Sequence, residues 1–320
     1  MGNVAEFAAR LKKRRSARLP PRRTWRTVPS MLLRCRDRIV HFPRRPLVMG
    51  IINLNDDSFS GDGTLQVEEA LERARCMTAD GADVIDVGGE SARTNRVAVP
   101  PEEEVRRVLP FIERFLTERE TWSRRDEEQL MPPLLSVNTW RPAVVAPLLA
   151  AGAELLNDMG ALPDNANARL AARHGTGLLI MHSVGQPKEA HTEVRWRDVV
   201  AEQLQFFTRK MAQAEEAGVS REALILDPGL DFAKQSGDSL RLLRGADKIV
   251  ALGRPVLMPV SRKTVIGDVL GLPDPRERDP GTWASLVAGV RRGVAIFRVH
   301  AVHEAASCVR VAWEIERQRR

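Results

Sequence analysis

Apolar residues gather into eight short runs along the chain, and each run ends in polar residues. The runs are LVMGIINL (47–54), VIDVGGE (84–90), LLSVNTW (134–140), LLNDMG (155–160), GLLIMHS (177–183), ALILDPG (223–229), VLMPVSRK (256–263) and AIFRVH (295–300). None alternates cleanly between apolar and polar, which suits strands covered on both faces of a parallel sheet. Between the runs lie helix-like stretches. In 67–82, Ala70, Ala74 and Met77 share one helical face, and Gly81 is placed to end the helix. Residues 102–116 open with Glu102, Glu103 and Glu104, which complement the positive end of a helix dipole. Pro142 suits the first turn of the next helix and Gly152 its end; the longest stretch, 199–218, closes on Gly218. Eight strands alternating with eight helices over about 270 residues predict an α/β fold, a (β/α)8 TIM barrel. An open doubly wound sheet fits less well, because no Gly-rich phosphate turn follows the first run.

In such barrels, ligands meet the chain where strands end and the following loops begin. The polar residues there are Asn53, Asp86 with Glu90, Asn138, Asn157 with Asp158, His182, Asp227, Ser261 to Lys263, and Arg298 with His300. One polar strand end is ordinary surface. Eight at the same end of a barrel predict a polar cavity lined from all around the ring. Asn and Asp groups suit a flat heterocycle with amide and amino edges. A buried carboxylate such as Asp227 can grip an N–H/NH2 pair through charge-assisted bonds. Arg298 and His300 lie two apart on one strand, face the same way and can converge on one anion. Lys263 and the loop amides after Asn53 can extend a phosphate site. The residues alone therefore point to a ring-bearing ligand with a phosphate group.

Other patterns lead nowhere. Arg262 occupies the glycine that a P-loop ending in Lys263-Thr264 would require. His300 and His303 are three apart, but His303 belongs to the next loop or helix, and zinc needs three or four ligands.

Charge changes the picture only at the N-terminus. The chain nets +7, yet residues 1–45 carry 14 Lys and Arg against Glu6 and Asp37, a balance of +12 that leaves −5 for the other 275 residues. The basicity belongs to an extension, residues 1–34, ahead of a barrel domain at 35–320. A solvated, flexible arm is the preferred reading; an organelle transit peptide or an arm for nucleic acid or a membrane surface remain alternatives. Nucleic acid is not expected at the barrel. No run approaches the roughly 18 to 20 apolar residues of a membrane span. Cys35, Cys76 and Cys308 form neither a disulfide framework nor a zinc pattern, so a reducing, cytoplasmic setting is expected.

From about position 35 onward the chain resembles the dihydropteroate synthase family of pterin-binding barrels. The resemblance rests on MGIINLNDDSF for the family's MGI-(L/V)-N-x-T-P-D-S-F, and on GADVIDVGGESAR for GAD-I-I-D-V-G-G-E-S-T-R. It continues through SVNTWR for S-V-D-T, AGAELLND, LIMH, LILDPGLDFAK for D-P-G-I-G-F-x-K, VSRKTVIG, and FRVHAV for R-V-H-D-V. It implies a transferase of folate biosynthesis that joins 6-hydroxymethyl-7,8-dihydropterin diphosphate to 4-aminobenzoate and releases pyrophosphate. Carried over by position, Asn53, Arg298 and His300 bind the pyrophosphate, with Asn53 beside a Mg2+. Asn138, Asn157, Asp227 and Lys263 take the pterin; Arg93, Ser261 and Arg262 lie toward the aminobenzoate; Lys263, Arg298 and His300 act in catalysis. DDSFSGDGT would be a loop closing over the reaction, and two copies would pair as a homodimer.

The motifs depart from the family at several of these places. Thr-Pro of the first loop is Asn55-Asp56, the next Thr is Ala92, and the Pro after Arg93 is Thr94. The Asp of S-V-D-T is Asn138, the Gly of D-P-G-I-G is Asp231, and the Asp after His300 is Ala301. Losing the carboxylate at 138 removes a charge expected to balance Arg298, and forfeits about 1.5 to 3 kcal/mol of charge-assisted bonding. The synthase reading is preferred because Asn53, Asp227, Lys263, Arg298 and His300 are all retained. The alternatives are a non-synthetic paralogue that binds a pterin or acts on a pterin-like substrate, and a pterin-dependent methyltransferase.

Overall fold

The chain enters its fold through a hairpin, β1 (Met31–Cys35) and β2 (Arg38–Phe42), paired antiparallel about the turn at Arg36-Asp37. The computed structural model describes residues 29–55, 63–90, 98–185, 187–189 and 193–318. The basic stretch 1–28, most of the loop DDSFSGDGT, Ala92, Arg93 and Thr94 lie outside them. The hairpin is not among the eight apolar runs, because only alternate residues are apolar and buried: Met31, Leu33, Cys35, Val40 and Phe42. The boundary expected at 34/35 falls inside β1.

All eight runs become parallel strands: β3 (Leu47–Asn53), β4 (Val84–Gly88), β5 (Leu134–Asn138), β6 (Leu155–Asp158), β7 (Gly177–Met181), β8 (Leu224–Asp227), β9 (Leu257–Met258) and β10 (Ile296–Val299). Each pairs with its sequence neighbour from β3 to β8, β10 joins β3 to β9, and a single parallel bridge, Leu226 to Val256, brings β8 and β9 together. The run 256–263 yields only two strand residues. Pro259 has no amide to continue the ladder, and Arg262 adopts φ +58°.

Helices cross over between the strands: α1 (Val67–Ala79), α2 (Pro101–Glu118), α3 (Pro142–Ala150), α4 (Ala166–His174) and α5 (Val199–Glu216) come first. After β8 follow α6 (Ser236–Arg244) and α7 (Ala246–Val250), after β9 α8 (Thr264–Leu270) and α9 (Asp279–Val290), and after β10 α10 (Val302–Arg317). Of the face expected on α1, Ala70 and Ala74 are buried and Met77 is half-buried; α2 packs Val108, Phe111, Ile112 and Phe115 inward. Each such fully buried side chain contributes about 1.5 to 3 kcal/mol of transfer free energy. Gly81, after α1, has φ +109°, a conformation in which other residues would be strained.

Two cores result, divided by strand parity. Val48, Ile85, Val87, Leu135, Val137, Leu156, Ile180, Leu226 and Phe297 face the helices. Leu47, Met49, Val84, Leu134, Leu155, Leu179, Ile225, Leu257 and Ile296 face inward, where the hairpin residues join them and close the N-terminal end. On β4, β5, β6, β8 and β10 the inward positions that follow these are polar. That floor leaves the opposite end for chemistry.

Candidate active site

The inward parity continues from the apolar floor to Asp86 on β4, Ser136 and Asn138 on β5, Asn157 on β6, Asp227 on β8 and Arg298 on β10. Asp86 is fully buried and accepts from all its polar neighbours. Ser136 Oγ donates to its Oδ1 at 2.6 Å; Arg298 Nε, Asn157 Nδ2 and Asn138 Nδ2 donate to its Oδ2 at 2.7, 3.1 and 3.4 Å. A carboxylate can only accept, so both amides must present nitrogen to it, leaving their carbonyl oxygens as the acceptors a ligand can use. Asp86 is thus the counter-ion of Arg298, and the expectation that Asn138 leaves that arginine unbalanced is corrected.

Asp227 closes the ring from the other side. Its Oδ1 accepts from the Gly229 amide at 2.7 Å. Burial pushes its carboxyl up to about 6, against the pull of that amide and of Lys263, Lys234 and Arg298. Lys263, half-buried where α8 begins, holds its Nζ 4.7 Å from the centre of the Phe232 ring. Its ammonium is pushed below the usual lysine range by burial, with Asp231 and Asp227 opposing and Arg298 adding to the fall.

The rim past β9 and β10 is tied together. Ser261 Oγ lies 2.8 Å from His300 Nδ1 and accepts from the His300 amide at 3.2 Å. Arg262 makes a fork with Asp279, at 2.9 and 2.8 Å, while its amide donates to Thr282 Oγ1. Asn53, at the end of β3, is half-buried. Arg298 and His300 stand on the same rim with different partners, Asp86 and Ser261. His303, in α10, bonds Asp80 on the outer surface, as its sequence position suggests.

Arranged this way, the site offers a neutral amide pair, a buried carboxylate with an elevated pKa, and the cations Lys263 and Arg298 around one end of the barrel. The motif blocks fall on the strand ends that build it. A family model for pterin binding enzymes matches residues 49–300. Dihydropteroate synthase of Escherichia coli strain K12 is 36% identical over 267 residues, 83% of this chain and 90% of that protein. The chain belongs to the dihydropteroate synthase family. A probable bifunctional folylpolyglutamate synthase/dihydropteroate synthase of Haloferax volcanii is 38% identical over 266 residues, but the chain spans only 30% of its length. Among solved structures, dihydropteroate synthase of Xanthomonas albilineans with 4-aminobenzoic acid has a TM-score of 0.78 at 34% identity, covering 90% of this chain and 99% of that one.

Within this family member, two neighbours of the site, Lys234 and Phe232, escape a reading of strand ends alone, and so do the bonds of a third. Asp86 is visible in VIDVGGE, but its four donors come from three other strands. Lys234 is buried beside Asp227, donates to the carbonyls of His182 and Phe232 at 3.1 and 2.7 Å, and is pushed down to about 7 by burial. Phe232 lies beneath Lys263. His182, expected to line the cavity, is instead packed against Trp196 and Phe206, with ring centres 5.2 and 4.7 Å away, and burial with nearby Lys234 lowers it to about 3. It is a neutral core residue. Glu90 is likewise engaged, with Arg141 and Lys188.

Proposed function

We propose that this chain is a working dihydropteroate synthase, condensing 6-hydroxymethyl-7,8-dihydropterin diphosphate with 4-aminobenzoate. The observation that carries the reading is the Asp86 hub. It holds Arg298, Asn157 and Asn138 in one array opposite Asp227, so the departure at 138 leaves no unpaired charge in the pocket. Asn157, Asn138 and Asp227 take the amide and amino edges of the pterin; as a carboxylate, Asp227 can accept two N–H bonds at once. Lys263, already over the Phe232 ring, lies over the pterin face and, with Arg298, adds positive charge where the diphosphate leaves, with His300 beside them. Ser261 and Arg262 stand toward the aminobenzoate; the same role for Arg93, outside the described residues, rests on its motif position alone.

The aniline nitrogen attacks the methylene carbon, the carbon–oxygen bond to diphosphate breaks, and the new ammonium sheds its proton. Holding both partners in one cavity supplies the orientation, and electrostatics stabilise the departing charge. Among the described residues, no three His, Cys, Asp or Glu side chains gather to hold an ion. The side-chain oxygen of Asn53, at the end of β3, fits one donor to a Mg2+ carried on the substrate's phosphates. When bound there, Mg2+ neutralises leaving-group charge.

No described helix is long and apolar enough to cross a membrane, and the synthase acts on small polar substrates in the cytoplasm under this reading. Val287 on α9 and Val311 and Ile315 on α10 are exposed apolar side chains on helices packed together, a surface suited to a second copy. Purified protein tested for dihydropteroate, with Lys263→Ala as the control, decides the proposal.

A further inference from the structure

The turn after β8 carries a feature that neither the floor of the barrel nor the pterin pocket requires. Asp231 adopts φ +66°, a left-handed conformation that strains a residue with a β-carbon. Its carboxylate faces two other elements. Oδ2 accepts from the Thr264 amide, the first of α8, at 2.6 Å, and Oδ1 accepts from Ser239 Oγ of α6 at 3.3 Å. The Asp231 amide donates back to Ser239 Oγ at 3.2 Å, and Ser239 is fully buried, so the anchor is rigid. Thr264 directly follows Lys263, and Phe232, whose ring lies 4.7 Å from Lys263 Nζ, directly follows Asp231.

We infer that Asp231 is a positioning residue: its carboxylate clamps the backbone beside Lys263 to the β8 turn and so sets the ammonium over the Phe232 ring, facing the pterin site. The inference deepens the synthase reading and rests on it only for the effect on substrate. The same carboxylate also supports the charged form of Lys263. The groups facing that ammonium are Asp231 and Asp227, which raise its pKa, and Arg298, which lowers it; Lys234 is the further cation nearby. In the motif that this turn resembles, D-P-G-I-G, glycine stands where this chain has Asp231.

The test uses full-length protein with 13C-labelled lysine Cε, Lys263 being assigned by its loss in Lys263→Ala, together with amide exchange at Thr264. In Asp231→Gly, which also relieves the backbone, Lys263 should titrate at lower pH and the Thr264 amide should exchange at least about tenfold faster. Asp231→Asn keeps an acceptor without the charge. It should therefore lower the Lys263 titration similarly while leaving Thr264 exchange within about threefold of wild type. In turnover, Asp231→Gly should raise KM for the dihydropterin diphosphate about tenfold with a smaller change in kcat, as expected when a charge-assisted positioning bond is lost. Unchanged titration and exchange in Asp231→Gly would overturn the inference. Absence of dihydropteroate from the wild-type protein would count against the synthase reading, while the lysine titration would still decide the role of Asp231.

Discussion

Asn138→Asp restores the family's carboxylate, and the geometry of the hub says what that costs. Asn138 Nδ2 stands 3.4 Å from Asp86 Oδ2. In the variant, a donor–acceptor contact becomes one between two carboxylate oxygens. Two like charges at that separation repel by about 5 kcal/mol at an effective dielectric of ~20. The lost hydrogen bond adds about 1 kcal/mol. Arg298, 2.7 Å from the same oxygen, offsets part of this, leaving an expected loss of about 2 to 4 kcal/mol in the ligand-free protein at about pH 8. The pair escapes by keeping a proton, so one carboxyl titrates above the ~3.9 of an unfolded aspartate. A raised folded value means the native state binds more protons than the unfolded one in that window. Stability therefore falls as pH rises through it, and the deficit should shrink to below about 1 kcal/mol near about pH 4. Urea denaturation of wild type and variant at the two pH values reads this directly. A variant as stable as wild type at both, or a deficit that does not change with pH, would refute the hub. The carboxylate's benefit lies in the ligand complex, where charge-assisted bonds to ring N–H groups are worth about 1.5 to 3 kcal/mol.

Further outcomes follow from the same contacts. Asp227, raised to about 6, weakens the ligand-free fold as pH rises from about 4 to 6; Asp227→Asn should therefore stabilise the free protein by about 1 to 3 kcal/mol at neutral pH in urea titrations while abolishing pterin binding. Wild-type pterin affinity, measured by calorimetry, should fall as pH drops through about 6, where the accepting carboxylate takes up its proton. Asp86→Ala removes the shared acceptor of Arg298, Ser136, Asn138 and Asn157, and should cost about 3 to 5 kcal/mol of stability, more than Asp86→Asn. Chelation should suppress turnover but leave the melting temperature of the ligand-free protein unchanged, since under the proposed reading the ion arrives with the diphosphate.

The barrel is legible because every strand lies between the central cavity and a helix, so each one reads as an apolar run bounded by polar residues. The hairpin is missed for the converse reason: Arg34, Arg36 and Arg38 alternate with its buried residues and make it read as part of a basic segment. Parity within the runs carries more than the runs themselves. Val84 to Asp86, Leu155 to Asn157, Ile225 to Asp227 and Ile296 to Arg298 each step from floor to site in two residues, so the inward polar layer can be picked out once strand identity is accepted. What parity cannot give is who bonds whom. That Asp86 accepts from β5, β6 and β10 depends on closure of the ring, and the burial of Lys234 and His182 depends on how α5 and the β8 turn pack. The missing amide N–H of Pro259 explains the short β9, and local sequence would have sufficed to foresee it.

The central claim is that this pocket makes dihydropteroate. Purified protein given 6-hydroxymethyl-7,8-dihydropterin diphosphate, 4-aminobenzoate and Mg2+, followed by mass spectrometry, tests it most directly. The account predicts dihydropteroate from the wild type and none above background from Lys263→Ala or Arg298→Ala. Retained pterin binding with no product from the wild type would contradict it, and would leave a pterin-binding paralogue in its place.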